Sequence, residues 1–204
     1  PDPPIKSEGR ADHIGGGAPL PRTADAVLFE DYDKGVLDPE AIVAITACAN
    51  AHGIPTVVDP KKRNFMAYQH TTLFKPNLKE LKEGLKLDFD ADDREQLEQA
   101  AHLLKEKLAL KGTLITLSER GVFIDFNDQL YHLPAHFRQI ADVSGAGDTV
   151  ISIAACCMAL GLSPRAVAAL SNLGGGLVCE QVGVVPIDRN QLLSEAKRLA
   201  ISAE

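Results

Sequence analysis

Three features of the chain predict an α/β fold, with a doubly wound, mostly parallel sheet sandwiched by helices. From Ala24 onward, short apolar runs alternate with helical patterns, the way successive β-α-β units read in sequence. Two alternating runs flank Asn127-Asp128, so a hairpin adds antiparallel strands to the sheet. No internal repeat is visible, and 204 residues suffice for one domain with a core of its own.

The elements follow in order. Ala26 to Phe29 reads as the first strand. Pro39 to His52 reads as a helix, with Asp38 as N-cap, Pro39 at the first position and Gly53 past the end. Thr56 to Val58 and Thr72 to Lys75 are the next strands. Leu78 to Leu85 is a short helix, and Asp92 to Leu110 a longer one with leucines on one face. Thr113 to Leu117 is a strand, and Gly121 to Phe126 and Gln129 to Leu133 form the hairpin. The remainder is helical, over Ala146–Leu160, Pro164–Glu180 and Asp188–Ile201. Residues 1–22 are rich in proline and glycine without a period. They read as an irregular linker or the remnant of a missing N-terminal region, ahead of a folded unit over 23–204. Within them, Gly15-Gly16-Gly17 is followed by Pro19 and Pro21, so no helix starts there to supply a dipole.

Composition removes several function classes. A net charge of −7, with no basic stripe, argues against a nucleic-acid surface. The longest apolar run, Val150 to Leu162, is too short to cross a bilayer, and no secretory pattern is visible. The cysteines at 48, 156, 157 and 179 lack Cys-x-x-Cys spacing, and three of them read as buried apolar residues. A reduced, cytoplasmic setting is therefore expected. The six histidines show no metal-ligand spacing. His102 reads as solvated, and Pro134 separates His132 from His136.

The stretch Asp142-Val143-Ser144-Gly145-Ala146-Gly147-Asp148, which opens a long apolar helix, carries the most chemistry. A glycine-rich turn leaves backbone N–H groups uncovered, and a helix starting there adds its positive end, making an anion site. Asp148 would sit beside a bound phosphate, an odd place for a carboxylate unless it takes a proton from an attacking hydroxyl. A plain glycine turn with Asp148 complementing the dipole remains an alternative. A dinucleotide loop does not, because Val150 stands where a third glycine is needed.

In such sheets ligands bind beyond the carboxyl ends of the strands, where this chain places polar groups at Asp31 and Lys34, Asp59 and Lys61, Asn77 and Glu80, and Ser118, Glu119 and Gly121. Asn77 and Glu80 match a helix capping box, or else a phosphate contact and a carboxylate for hydrated Mg²⁺. Asp31 with Lys34, and Asp59 with Lys61, read either as solvated ion pairs or as sugar-hydroxyl acceptors with phosphate-binding cations.

Taken together, these stretches resemble the ribokinase-like (PfkB) carbohydrate kinases. Asp142 to Thr149 resembles that family's C-terminal signature, and Asn77-x-x-Glu80 its second motif. Within the family, Glu30 to Val36, Val58 to Lys61, Pro76 to Glu80 and Asp142 to Thr149 most resemble the kinases of D-glycero-β-D-manno-heptose 7-phosphate. The resemblance implies ATP and Mg²⁺, a sugar-phosphate acceptor and no nucleic-acid or membrane partner. Asp148 would be the base, and Gly145, Ala146 and Gly147 the anion hole. Asn77 and Glu80 would organise phosphates and Mg²⁺ through water. Ser118, Glu119 and Gly121 would line the nucleotide, with Asn172 near the adenine. Asp31, Lys34, Asp59 and Lys61 would serve the substrate, and Asp142 and Ser144 a monovalent cation such as K⁺.

Members of the family also carry N-terminal strands and a lid sheet, and almost nothing precedes Ala26 here. The expectation is a core lacking those strands and the lid. A lid sheet upstream would favour a homodimer, because an exposed sheet face needs covering. The alternatives are another PfkB-type kinase, a non-catalytic nucleotide- or sugar-binding module and, more remotely, a nicotinamide oxidoreductase.

Overall fold

A computed structural model of the chain describes residues 24–136 and 138–202; the linker read over residues 1–22 lies outside them. Six strands form one sheet in the order β1 (Val27–Glu30), β2 (Thr56–Asp59), β3 (Leu73–Phe74), β4 (Gly112–Thr116), β5 (Val122–Phe126) and β6 (Gln129–Leu133). β1 to β4 are parallel, and β5 and β6 add antiparallel pairs at one side. The α/β class therefore holds, with element ends within a few residues of those expected, as fraying termini allow. The hairpin turns on Asn127 and Asp128, both at positive φ (49° and 60°), as a tight turn matched to strand twist requires.

The helices are α1 (Pro39–Ala51), α2 (Leu78–Leu85), α3 (Arg94–Leu108), α4 (Ala146–Ala159), α5 (Pro164–Val178) and α6 (Arg189–Arg198). Side chains alternate across each strand, so neighbouring residues enter different cores. Val58, Phe74, Ile115 and Phe123 pack with Ile42 of α1, Leu81 of α2 and Leu97 of α3. Val57, Leu73, Leu114 and Ile124 pack on the other face with Val150, Ile151 and Ala154 of α4 and Val167 of α5. Crossover helices thus cover one face, and the helices after the hairpin cover the other.

Caps account for the helix starts. Asp38 accepts from Ala41 N at 2.9 Å with Pro39 in the first turn, and Asp93, Ser163 and Asp188 cap α3, α5 and α6 in the same way. Two expectations need correcting. His102 is not simply solvated: its Nδ1 lies 2.7 Å from Oδ2 of fully buried Asp125, whose Oδ1 accepts from Lys105 Nζ at 2.6 Å. A carboxylate on β5 needs these partners because burial without them is costly. Among the cysteines only Cys157 and Cys179 are buried; Cys48 is half-buried and Cys156 exposed, because the apolar face of α4 is narrower than its composition implies. No helix among the described residues is long and apolar enough to cross a membrane.

Candidate active site

The site is built at the start of α4. Its N-cap, Gly145, sits at φ 77° and ψ −3°, a left-handed conformation that costs any other residue with a Cβ. An added Cβ would also lie 3.1 Å from Val184 Cγ1. No side chain among the described residues caps this helix. Ala146 N donates to Val143 O at 3.2 Å, and the first bond within the helix runs from Thr149 N to Gly145 O. The first-turn amides of Gly147 and Asp148 are therefore the ones left for an external acceptor, at the positive end of the helix. Ala146, expected to supply one, spends its amide on the turn.

Asp142 shapes the turn from below. Its Oδ1 accepts from Ser144 N (2.9 Å) and Ser144 Oγ (2.8 Å), and its Oδ2 from Gly183 N (2.9 Å). These bonds, the Ser144 amide foremost, hold its carboxyl below the usual range. Asp142 and Ser144 thus tie the anion turn to the segment around Gly183.

Beneath the turn lies Lys75, just past the end of β3. Lys75 is 3% exposed, and its Nζ sits 3.0 Å from Asp59 Oδ1. That oxygen accepts no directed hydrogen bond among the described residues, so charge rather than geometry holds the pair. A Cβ added to Gly147 would lie 3.7 Å from Lys75 Nζ; glycine leaves the ammonium open to the turn. The signal was present in the strand parity: Leu73 faces the α4 core, so Lys75, two residues on, points the same way.

The contacts continue from there. Lys61 Nζ lies 3.8 Å from Asp59 Oδ2 and 3.5 Å from Glu80 Oε1. Glu80 Oε2 accepts from Asn77 N at 2.8 Å, and Asn77 Oδ1 accepts from Glu80 N at 2.9 Å. The capping box is real, and it leaves Asn77 Nδ2 and Glu80 Oε1 outside it, the latter beside Lys61 Nζ. Gly147, Lys75, Asp59, Lys61, Glu80 and Asn77 thus form one connected polar string.

Two clefts open on the same sheet edge. Asn77, Lys79, Lys82 and Ser118 line one of about 580 Å³. Ser118 is left-handed at φ 55°, while Glu119 is exposed and Gly121 buried. A Cβ on Gly121 would come within 2.1 Å of Leu133 O, so the close approach of the 133–135 backbone requires glycine there. The other cleft, about 280 Å³, is bounded by Leu133, His136, Arg165, Asn172 and Ile201. Asn172 Nδ2 donates to Pro134 O at 2.8 Å and so shapes the wall. Burial, then the Arg138 charge, lowers the His136 pKa, which favours a neutral imidazole there.

The two substrate residues expected at the end of β1 differ in exposure. Asp31 is 3% exposed. Its Oδ2 accepts from Tyr68 OH (2.8 Å) and Asn64 Nδ2 (3.1 Å), and its Oδ1 from Asp33 N (2.8 Å). With both oxygens engaged on the crossover-helix side, Asp31 anchors the loop and does not face the α4 turn. Lys34 is exposed on that loop.

An uncapped glycine turn, an acid in the first helical turn and a buried lysine beneath are the parts a phosphoryl-transfer site needs. The family model for pfkB family carbohydrate kinases matches residues 20–189. The chain belongs to this family. Its relatives include the bifunctional protein HldE of Caulobacter sp. (strain K31), 39% identical over 176 residues, which cover 86% of this chain and 36% of that protein. HldE of Syntrophotalea carbinolica is 37% identical over 169 residues, covering 82% and 34%. The chain thus spans about a third of the length of these relatives. Solved structures share the fold. A putative phosphofructokinase from Staphylococcus aureus superposes with a TM-score of 0.75 at 17% identity, covering 96% of this chain and 62% of that one. Ribokinase from Arabidopsis thaliana, complexed with ribose and ATP, gives 0.71 at 19% identity, covering 95% and 60%.

Proposed function

We propose that this chain carries the phosphoryl-transfer machinery of an ATP-dependent kinase acting on D-glycero-β-D-manno-heptose 7-phosphate at its anomeric hydroxyl. The observation that carries the reading is Asp148 in the uncapped first turn of α4 with Lys75 directly beneath. The identity to HldE proteins supports this acceptor over other sugars.

The acceptor oxygen attacks the γ-phosphorus of ATP as the bond to the ADP oxygen breaks, and Asp148 receives the hydroxyl proton. Charge builds on the transferred group's oxygens, so the Gly147 and Asp148 amides, the helix dipole and the Lys75 ammonium act where it appears. Asp59 holds Lys75 in place, and Asp142 holds the turn. Asn77 Nδ2 and Ser118 serve the phosphate side, and the cleft at Asn172 takes the base. Glu80 Oε1 is the oxygen that would hold Mg²⁺ through water, an arrangement that suits an ion reluctant to shed its own shell. When bound, Mg²⁺ would neutralise phosphate charge. A monovalent cation beside Asp142 and Ser144 belongs to the same proposal; phosphofructokinase-2 from Escherichia coli has been crystallised in complex with potassium. The setting is cytoplasmic, where ATP is supplied.

ADP release measured over a panel of sugar phosphates tests the reading. The heptose 7-phosphate should give the highest kcat/KM, and Asp148→Asn should lower kcat by about a thousandfold while ATP still binds. Preference for another sugar phosphate would reassign the acceptor within the family. Near-normal turnover by Asp148→Asn would sink the mechanism.

A further inference from the structure

We infer that Lys61 is an exchangeable placeholder cation: its ammonium sits on Glu80 Oε1, the oxygen proposed for hydrated Mg²⁺, and gives up that place when the metal arrives. The inference rests on the kinase reading and adds Lys61 to it. One ammonium is shared between two acids from different elements. Lys61 Nζ lies 3.5 Å from Glu80 Oε1 and 3.8 Å from Asp59 Oδ2, with Pro60 O at 3.4 Å. The other Glu80 oxygen is engaged in the capping box, where Oε2 accepts from Asn77 N at 2.8 Å. Oε1 is therefore the oxygen at which Glu80 is open to a cation. Mg²⁺ with its water shell and an ammonium cannot share it, since like charges so close repel strongly.

Two cations serve this polar string, and they are held differently. The Lys75 side chain is 4% exposed, and its Nζ lies 3.0 Å from Asp59 Oδ1; that cation is fixed. The Lys61 side chain is 38% exposed. Among the described residues each of its polar contacts is longer than the about 2.8 Å of a charge-assisted hydrogen bond. Its backbone does not share this freedom. Pro60 before it is buried with a locked φ. Asn64, three residues on, donates to Asp31 Oδ2 at 3.1 Å and to Leu37 O at 2.9 Å. What can move is the four-carbon stem, which swings the charge off Glu80 while the fold stays in place. Charge balance favours the exchange. Asp59 and Glu80 are matched by Lys61 and Lys75. Once Lys61 leaves, the string carries one net negative charge, which suits a divalent ion.

Binding of Mn²⁺ alone to the full chain, followed by the EPR signal of the free ion, tests the exchange without turnover. Lys61→Met should bind Mn²⁺ about tenfold more tightly than the parent, because the competing charge is gone. Lys75 still pairs with Asp59 in this variant, so the fold should persist, as a melting curve checks. Lys61→Arg keeps a cation at Glu80 and should bind no more tightly than the parent. Adding Glu80→Gln to Lys61→Met should erase the gain, since that carboxylate is what the two cations compete for. If Lys61→Met binds Mn²⁺ no more tightly than the parent, or not at all, the inference is overturned and Lys61 only braces the two acids. A gain that survives Glu80→Gln, or one equally large in Lys61→Arg, overturns it as well. The kinase reading is judged separately: turnover retained by Asp148→Asn removes that reading, whatever Mn²⁺ does.

Discussion

Under the proposed mechanism Lys75 would serve both folding and chemistry. Its ammonium is buried against Asp59 and lies under the turn that would receive a phosphoryl group. Lys75→Met should remove turnover and also leave Asp59 facing only the longer contact to Lys61. Breaking a buried pair from one side costs about 3 kcal/mol, which urea denaturation would read; an unchanged midpoint would mean that Asp59 is solvated. Asp142 makes a second prediction, in pH. Its carboxyl is held below the ordinary range by donors from Ser144 and Gly183. A depressed folded-state pKa gives stability that is present above the unfolded value and lost as pH falls through the folded one. Asp142→Asn should therefore be less stable than the parent at neutral pH, with the gap closing below the ordinary carboxylate range. A gap in melting temperature that stayed constant down to pH 2 would mean that the charge does not matter.

At the level of elements, the fastening of α3 to the sheet is unusual in being ionic. Asp125 on β5 is fully buried, with Lys105 at 2.6 Å and His102 at 2.7 Å, both from α3. The remaining contact surface between them is leucine and alanine, including Leu97, Ala101 and Leu104. Lys105→Met should cost about 3 kcal/mol, because it leaves a buried carboxylate short of a charged partner. Making Asp125→Leu in the same chain should recover much of that loss, since a packed apolar pair can replace an ionic one. Chemical denaturation of the single and double variants decides this; a double variant no better than the single would place the ions in a specificity role. A second clamp, beyond β6, joins Arg138 to Glu180 (3.0 Å) and Glu195 (3.1 Å). It holds the segment leading to the anion turn against α5 and α6.

Across the whole molecule, the parallel strands and β6 deliver their carboxyl ends to one edge, and the two clefts, the anion turn and the polar string all open there. A ligand spanning them links elements far apart in sequence and should stabilise the fold as a unit. ATP at a hundred times its Kd should raise the unfolding free energy by about 2.7 kcal/mol, seen as a higher melting temperature. A melting temperature indifferent to ATP would remove the nucleotide from the proposal.

The order of strands and helices, their caps, the hairpin turn and the glycine turn before Thr149 were all legible in the sequence, because each depends on residues close together along the chain. Asn77 and Glu80 were legible as a capping box for the same reason. What tertiary structure alone decided is which face each strand residue meets. Strand parity can be read locally, but the identity of the covering helices is set by segments far away in the chain. Hence Asp31 was grouped with the site although Tyr68 and Asn64, 37 and 33 residues distant, hold it on the opposite side. Hence too Lys75 takes its place in the site only because α4, built from residues 146–159, starts over it.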